Sequence, residues 1–325
     1  MTAAFNRSSV KLIFLFCAVT LLALLVVFAA IPRSTLFMHV LHKAGHPAIF
    51  GAISLLVLWF LNESKASALP SPWHKYLAAL GITILIGGVT ELLQQFTHRG
   101  TSWADVLSDA VGATACLALH AAWFGPGCVA TRRFLRPSLM LVGLAAAMIA
   151  AAPLAWSLLA YAQRDTQFPV IAQCGNALDL YFISRNVGNT TCADLPRRWA
   201  REDGEQAFRV GMDSGPYPGV QSIEPYPMWR GYQSLAVDIT NPGDVIIDLV
   251  IRVHDRQHNR TFKDRFNGPA KIGPQTRMTI VIPLESIERA PDGRLLNLDA
   301  VANVGVFALQ AKKDGAFFVS RVWLQ

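Results

Sequence analysis

Between Glu91 and Gly112 the chain reads ELLQQFTHRGTSWADVLSDAVG, with ionisable side chains at helical spacing on both sides of a short break. Glu91, Gln94 and Gln95 stand at i, i+3 and i+4, so one helical face carries all three. Asp105, Asp109 and Gly112, at i, i+4 and i+7, share a face of a second helix. Arg99 lies in the break, and Lys43 and His46 open another apolar stretch upstream. Acids beside an arginine suit several chemistries. Glu91 or Asp109 could move a proton, Arg99 could clamp an anion, and the set could hold a polar head group or simply lock helices together. All of these readings stay open on the residue types alone.

Asp105 has a plainer role available, because Ser102-x-x-Asp105 fits a loose capping box at a helix start. Asp109 lies one turn deeper and needs a partner, for which Arg99, Lys43 and a protonated carboxyl neighbour are candidates. His39, His42 and His46 can share one face and could join Glu91 and Asp109 around a metal. No HExxH pattern accompanies them, so no metal is expected. A nucleophile elbow, a phosphate loop and a dinucleotide fingerprint are also missing from the sequence, and no cofactor is expected.

The elements that must position these residues are apolar helices. The 325-residue chain is 52% hydrophobic and 16% charged, too apolar for an ordinary soluble domain. Runs at 10–31, 45–61, 76–96, 103–124 and 139–161 each suit a membrane-spanning helix, and the first reads as uncleaved. Gly81, Gly87 and Gly88 on the third run suit close helix packing. Up to Tyr161 there are ten Lys and Arg against four Asp and Glu, leaving nineteen against eighteen beyond it. The positive charge flanks apolar runs and forms no patch, which argues against nucleic acid as a partner. Arg7, Lys11, Lys65, Lys75, Arg132, Arg133 and Arg136 fall on one side, and Arg33, Lys43, Arg99 and Arg164 on the other. This bias places the N-terminus in the cytoplasm and, after five crossings, the tail outside the cytoplasmic membrane. Two domains are expected, 1–162 in the membrane and 163–325 exported. Cys174 and Cys192, the tail's cysteine pair, suit a disulfide in that oxidising compartment.

The tail changes to a β pattern. Runs at 208–212, 233–239, 245–254, 278–284, 304–309 and 317–324 read as strands, several alternating at period two. A helical turn at 284–289 and a Pro-Asp-Gly loop at 291–293 interrupt them. Many short strands with turn signals between them imply a β-sandwich or jelly roll.

Lys43-x-x-His46, Glu91-x-x-Gln94, Arg99 and Asp105-x3-Asp109-x2-Gly112 together resemble the VanZ-like family of small bacterial membrane proteins. The resemblance covers roughly 37–124, and the family usually carries Asn where this chain has Asp109. It implies a cell-envelope membrane protein associated with glycopeptide resistance and brings no settled reaction. In the tail, Trp229-Arg230-Gly231-Tyr232 and Arg252-x-x-Asp255 resemble the galactose-binding-type jelly rolls of carbohydrate-binding modules. That likeness implies sugar contacts from Trp229, Tyr232, Arg252 and Asp255, with Tyr217, Tyr226, His258 and Arg265 nearby in the sequence.

The expectation is therefore a five-helix membrane bundle followed by an exported β-sandwich. It would bind or handle a lipid-linked or cell-wall glycan and influence susceptibility to envelope antibiotics. Lys43, His46, Glu91, Gln94, Arg99, Asp105 and Asp109 would meet a membrane lipid or lipid-linked head group. The alternatives are an enzyme acting on a lipid head group, with Glu91 or Asp109 as acid–base, and a structural protein without a ligand.

Overall fold

The computed structural model describes residues 10, 14, 17–22, 35–63, 69, 71–95, 102–126, 129–184, 190–213, 215–309 and 315–325. The chain divides into two compact units, Met1–Ser157 and Leu158–Gln325.

Helices α1 (Leu36–Glu63), α2 (Pro72–Gln94) and α3 (Trp103–Phe124) build the first unit, together with most of α4 (Val129–Gln167). Among the described residues, four helices are long and apolar enough to cross a membrane. The expected first span, 10–31, falls largely outside the described residues, with helical backbone at Val10, Phe14 and 17–22.

Helix α1 begins well before the expected residue 45 and runs through Pro47. Proline removes one backbone hydrogen bond, and a helix tolerates this where a neighbour packs closely. Here the neighbour is α3. A Cβ built on Gly112 would lie 2.0 Å from the Pro47 carbonyl oxygen, so the backbones meet where a side chain has no room. Gly51 repeats the device one turn on, its Cβ position 2.6 Å from Cys116 Sγ. The buried side of α3 beyond Gly112 is mostly alanine, as close packing between apolar helices requires.

Helix α2 starts where Ser71 Oγ accepts a hydrogen bond from the Trp73 amide, with Pro72 in the first turn. Its buried stripe is Ala79, Thr83, Gly87, Thr90, Glu91 and Gln94. Gly87 is packed against α3, whereas Gly81 and Gly88 face open space and pack against nothing within 4 Å. The expectation of three packing glycines thus holds for one of them.

The second unit is a sandwich of two antiparallel sheets. One is ordered β2 (Thr190–Asp194), β3 (Gln206–Gly211), β10 (Ala316–Leu324), β5 (Ser234–Asn241) and β8 (Thr276–Pro283), with β1 (Val170–Gln173) also paired to β10. The other is ordered β4 (Gly219–Ile223), β9 (Val301–Ala308), β6 (Ile247–Asp255) and β7 (Phe266–Ile272). From β3 onward the chain passes repeatedly from one sheet to the other, which is jelly-roll topology. A five-residue helix, α5 (Leu284–Glu288), follows β8.

Period-two alternation sends Leu235, Val237 and Ile239 of β5 inward to meet Leu249, Ile251 and Val253 of β6 across the core. Phe208, Phe317 and Trp229 fill the same cluster. Cys174 and Cys192 are joined in a disulfide with Cα atoms 5.8 Å apart.

Candidate functional site

In the bundle, α1 supplies His46, α2 supplies Glu91 and Gln94, and α3 supplies Asp109, all four buried. Asp109 meets His46, whose Nδ1 is 3.3 Å from Oδ1. The distance suits an ion pair, but neither atom has hydrogen-bond geometry, and among the described residues Asp109 Oδ2 has no partner either. Gly87 faces this carboxylate, its Cβ position 3.1 Å from Oδ2, so a larger residue there would push into Asp109. The partner seen among the described residues is His46, which the sequence reading had not put forward for Asp109. Lys43 is exposed, and Arg99 lies outside the described residues.

Glu91 is tied to the start of α3: its Oε2 accepts a hydrogen bond from the Ser102 amide at 3.0 Å, while Oε1 is buried without one among the described residues. This corrects the capping-box expectation. Ser102 makes no side-chain cap, and a carboxylate from the preceding helix takes that place. Asp105 remains half-buried in the first turn of α3, where the helix dipole favours an acid. Beside Glu91 opens a mostly apolar groove of about 560 Å³. Leu85, Leu92, Trp103 and Val106 line it, with Glu91 and Gln95 at the end of α2.

In the sandwich, the residues expected to contact sugar separate. Trp229 is completely buried in the core, and its Nε1 donates to the Tyr226 carbonyl at 2.8 Å, so it has no face left for stacking. Tyr232 is half-buried edge-on to Phe168, with ring centroids 5.3 Å apart. Asp255 is also buried. Arg294 holds it through two hydrogen bonds of 2.6 and 2.9 Å, and the Asn297 amide donates to it at 2.8 Å. Burial pushes its carboxyl up, but these hydrogen bonds outweigh that and hold it below the usual range. Arg294 likewise binds Asp264, whose carboxyl drops to about 2 through that hydrogen bond and one from the Asn259 amide. Asp255 is therefore structural. Arg252 points outward on the other face of β6, because residues three apart on a strand face opposite ways.

A site that the sequence reading missed lies over the six-stranded sheet. A polar groove of about 720 Å³ runs past Gln173, Arg201, Glu202, Gln206 and Arg321, with Asp238 and Ser320 at its base. Arg277 and Arg201 clamp Asp238 at 2.7 and 3.0 Å. Arg277 also pairs with Glu205 and lowers its carboxyl through a hydrogen bond. Among the described residues, buried Ser320 Oγ has no partner. Two positions along β10, half-buried Trp323 lies beneath the Arg321 guanidinium, 5.4 Å from it. The available signal was the alternation at the end of the last strand, which puts Arg321 and Trp323 outward, while Ser320 joins them only through an irregularity between Val319 and Arg321. The rest of the groove comes from the distant 201–206 segment, which no local pattern connects to β10.

The fold and these sites define a helical unit with apolar helices followed by a jelly-roll unit bearing polar surfaces. No protein-family model matches the chain, and no curated protein matches it. The VanZ-like resemblance therefore gains nothing from either comparison. Among solved structures, the chain is similar to a family 11 carbohydrate-binding module from Clostridium thermocellum in complex with a β-1,3-1,4-mixed-linked tetrasaccharide. Identity is 19% over 44% of this chain and 81% of that one, with a TM-score of 0.28. A non-crystalline-cellulose-specific module of family 28 is 10% identical over 49% of this chain and 93% of that one, with a TM-score of 0.33. An exo-β-agarase is 14% identical over 48% of this chain, at a TM-score of 0.36, and the match spans 24% of the agarase.

Proposed function

We propose that the protein is anchored in the bacterial cytoplasmic membrane by its apolar helices and binds an envelope glycan through its exported sandwich. The observation that carries this reading is the groove of about 720 Å³ over the six-stranded sheet. Its size falls within the roughly 300–1,000 Å³ typical of small-ligand sites. Its walls are dominated by amide, guanidinium and carboxylate groups, which suit a ligand covered in hydroxyls. Export is supported by the Lys and Arg asymmetry and by the Cys174–Cys192 disulfide. The test is a glycan array probed with the full-length protein in detergent, wild type against Arg321→Ala and Gln206→Ala. Binding that is lost in the variants at unchanged melting temperature supports the groove. A folded wild type that captures no glycan sinks the reading.

The groove beside Glu91 favours a second reading, in which the bundle holds the chain of a lipid or lipid-linked ligand against Leu85, Leu92 and Trp103. Gly88 lines that groove and has open space in front of it, so Gly88→Leu fills it without touching the helix interface. Mass spectrometry of co-purified lipid should show a species that disappears in this variant. A lipid profile identical to wild type would remove the reading. Glu91 as an acid–base catalyst is the weaker use, since one of its oxygens is occupied by the Ser102 amide.

A further inference from the structure

The outer face of the four-stranded sheet carries a second set of polar groups, opposite in character to the first groove. Register places Asn267, Arg252, Gly305 and Gln221 in one row across β7, β6, β9 and β4. Phe307, two residues along from Gly305 on the same face of β9, lays its ring across that glycine. A Cβ at position 305 would sit 2.5 Å from the ring, and one at Gly219 would sit 2.7 Å from it. The two glycines thus make the bed for Phe307, and the Arg252 guanidinium rests above the ring, 4.5 Å from its centroid.

Arg252 is held in place but electrically unanswered. Among the described residues it has no hydrogen bond and no ion pair, and its Nε is buried without a partner. The groups that act on it are Arg265, of like charge, and the Tyr217 hydroxyl. Arg265 donates to Asn267 Oδ1 at 3.0 Å and has no carboxylate partner among the described residues. The nearby acids are already engaged: Asp255 and Asp264 by Arg294, and Asp248 by Lys271. A buried guanidinium nitrogen without an acceptor is costly, and an anion that presents two oxygens side by side is what a planar guanidinium fork matches best.

We propose that this face binds an oxyanionic group (a carboxylate, phosphate or sulfate) with Arg252 as the fork and Arg265 as the second cation. The group is borne by an acidic glycan or by a lipid head group, and the chemistry is the same for both. This site is independent of the groove on the opposite sheet.

The test is isothermal titration calorimetry on the full-length protein in phosphatidylcholine nanodiscs. The probes are inorganic phosphate, sulfate and oligogalacturonate. Wild type should bind at least one of them saturably, with affinity falling as salt rises. Arg252→Gln and Arg265→Gln should each lose about tenfold or more at unchanged melting temperature. Arg252→Lys, which keeps the charge and the stem over Phe307, should also weaken binding and covers the case in which Arg252→Gln fails to fold. Nanodiscs containing phosphatidylglycerol assign the source. Competition of that lipid with phosphate points to a head group, and oligogalacturonate binding untouched by the lipid points to a glycan. No binding of phosphate, sulfate or oligogalacturonate by wild type overturns the proposal, and so does unchanged binding by both Arg265→Gln and Arg252→Lys.

Discussion

The helical unit and the sandwich both bury charged side chains, and they do so by different means. In the sandwich, Arg294 bridges Asp255 and Asp264, and Arg277 bridges Asp238 and Glu205, with backbone amides taking further lone pairs. In the bundle, Asp109 pairs with His46, and among the described residues neither of its oxygens has a hydrogen bond. Gly87 faces the carboxylate so closely that a Cβ there would lie 3.1 Å from Oδ2. A buried charge with a full set of partners can be assigned to structure, whereas one without them marks a place where something else must complete the set. By that criterion Asp255 leaves the list of binding residues, and Arg252, three positions away, stays on it.

The largest expected effect breaks the bundle side of this comparison. Gly112→Val places atoms against the Pro47 carbonyl, part of the backbone, and no side-chain rotation relieves that contact. The expected cost is about 3 kcal/mol or more, read as loss of monodisperse protein in size-exclusion chromatography. A well-folded variant would mean that α1 and α3 do not meet there.

Trp229→Ala should cost the sandwich about 3–5 kcal/mol, because it empties a fully buried site, while Trp323→Ala should cost far less. Hydrogen-exchange protection of β5 and β6 distinguishes the two. A stable Trp229→Ala that had lost glycan binding would return Trp229 to the ligand.

Acid separates the two regions more finely. Asp255, Asp264 and Glu205 titrate below their ordinary values in the folded sandwich, Asp264 at about 2. Depressed carboxyls contribute stability that is fully present above the unfolded-state value of about 4 and lost as pH falls through the folded value. The sandwich should therefore weaken between about pH 4 and pH 2. Near-ultraviolet circular dichroism against pH follows this, and Arg294→Met, which orphans Asp255, should lose about 3 kcal/mol at neutral pH and flatten the acid dependence. An unchanged acid profile in that variant would reassign the stabilisation.

The smallest effect is a gain. Gly88→Ala adds a methyl to a helix position with open space before it, and should stabilise α2 by about 0.5–1 kcal/mol in thermal unfolding.

Legibility in the sequence followed local hydrophobic alternation, which β8 shows although it is an edge strand with no buried residue. Helix α3 spans the residues expected of it, 103–124, and the strands that were read correspond to β3, β5, β6, β8, β9 and β10 within a few residues. The unread strands are β1, β2, β4 and β7, of which β2, β4 and β7 are sheet edges. Edge strands bury one side weakly and tolerate residues that a central strand does not. Gly268 and Pro269 made β7 look like a loop for this reason. Arg252-x-x-Asp255 shows a different failure. Its odd spacing on a strand already implied opposite faces, so the two residues could not have served one ligand from the same surface.

The sequence by itself determined the division into apolar helices and an alternating β tail, since hydropathy and periodicity are local properties of the chain. It also singled out Glu91, Arg99 and Asp109 as residues needing an explanation, while Arg252 entered through the jelly-roll resemblance. Only the tertiary structure decided which described groups answer them: His46 for Asp109, the Ser102 amide for one oxygen of Glu91, and, among the described residues, no acid for Arg252. Partners for a charge come from whichever elements pack beside it, and that packing depends on the room left for the Pro47 backbone at Gly112 and for the Phe307 ring at Gly305 as much as on the charges themselves. The groove over the six-stranded sheet belongs to the same class, because a surface assembled from the 201–206 segment and the last strand exists only once the sheet has formed.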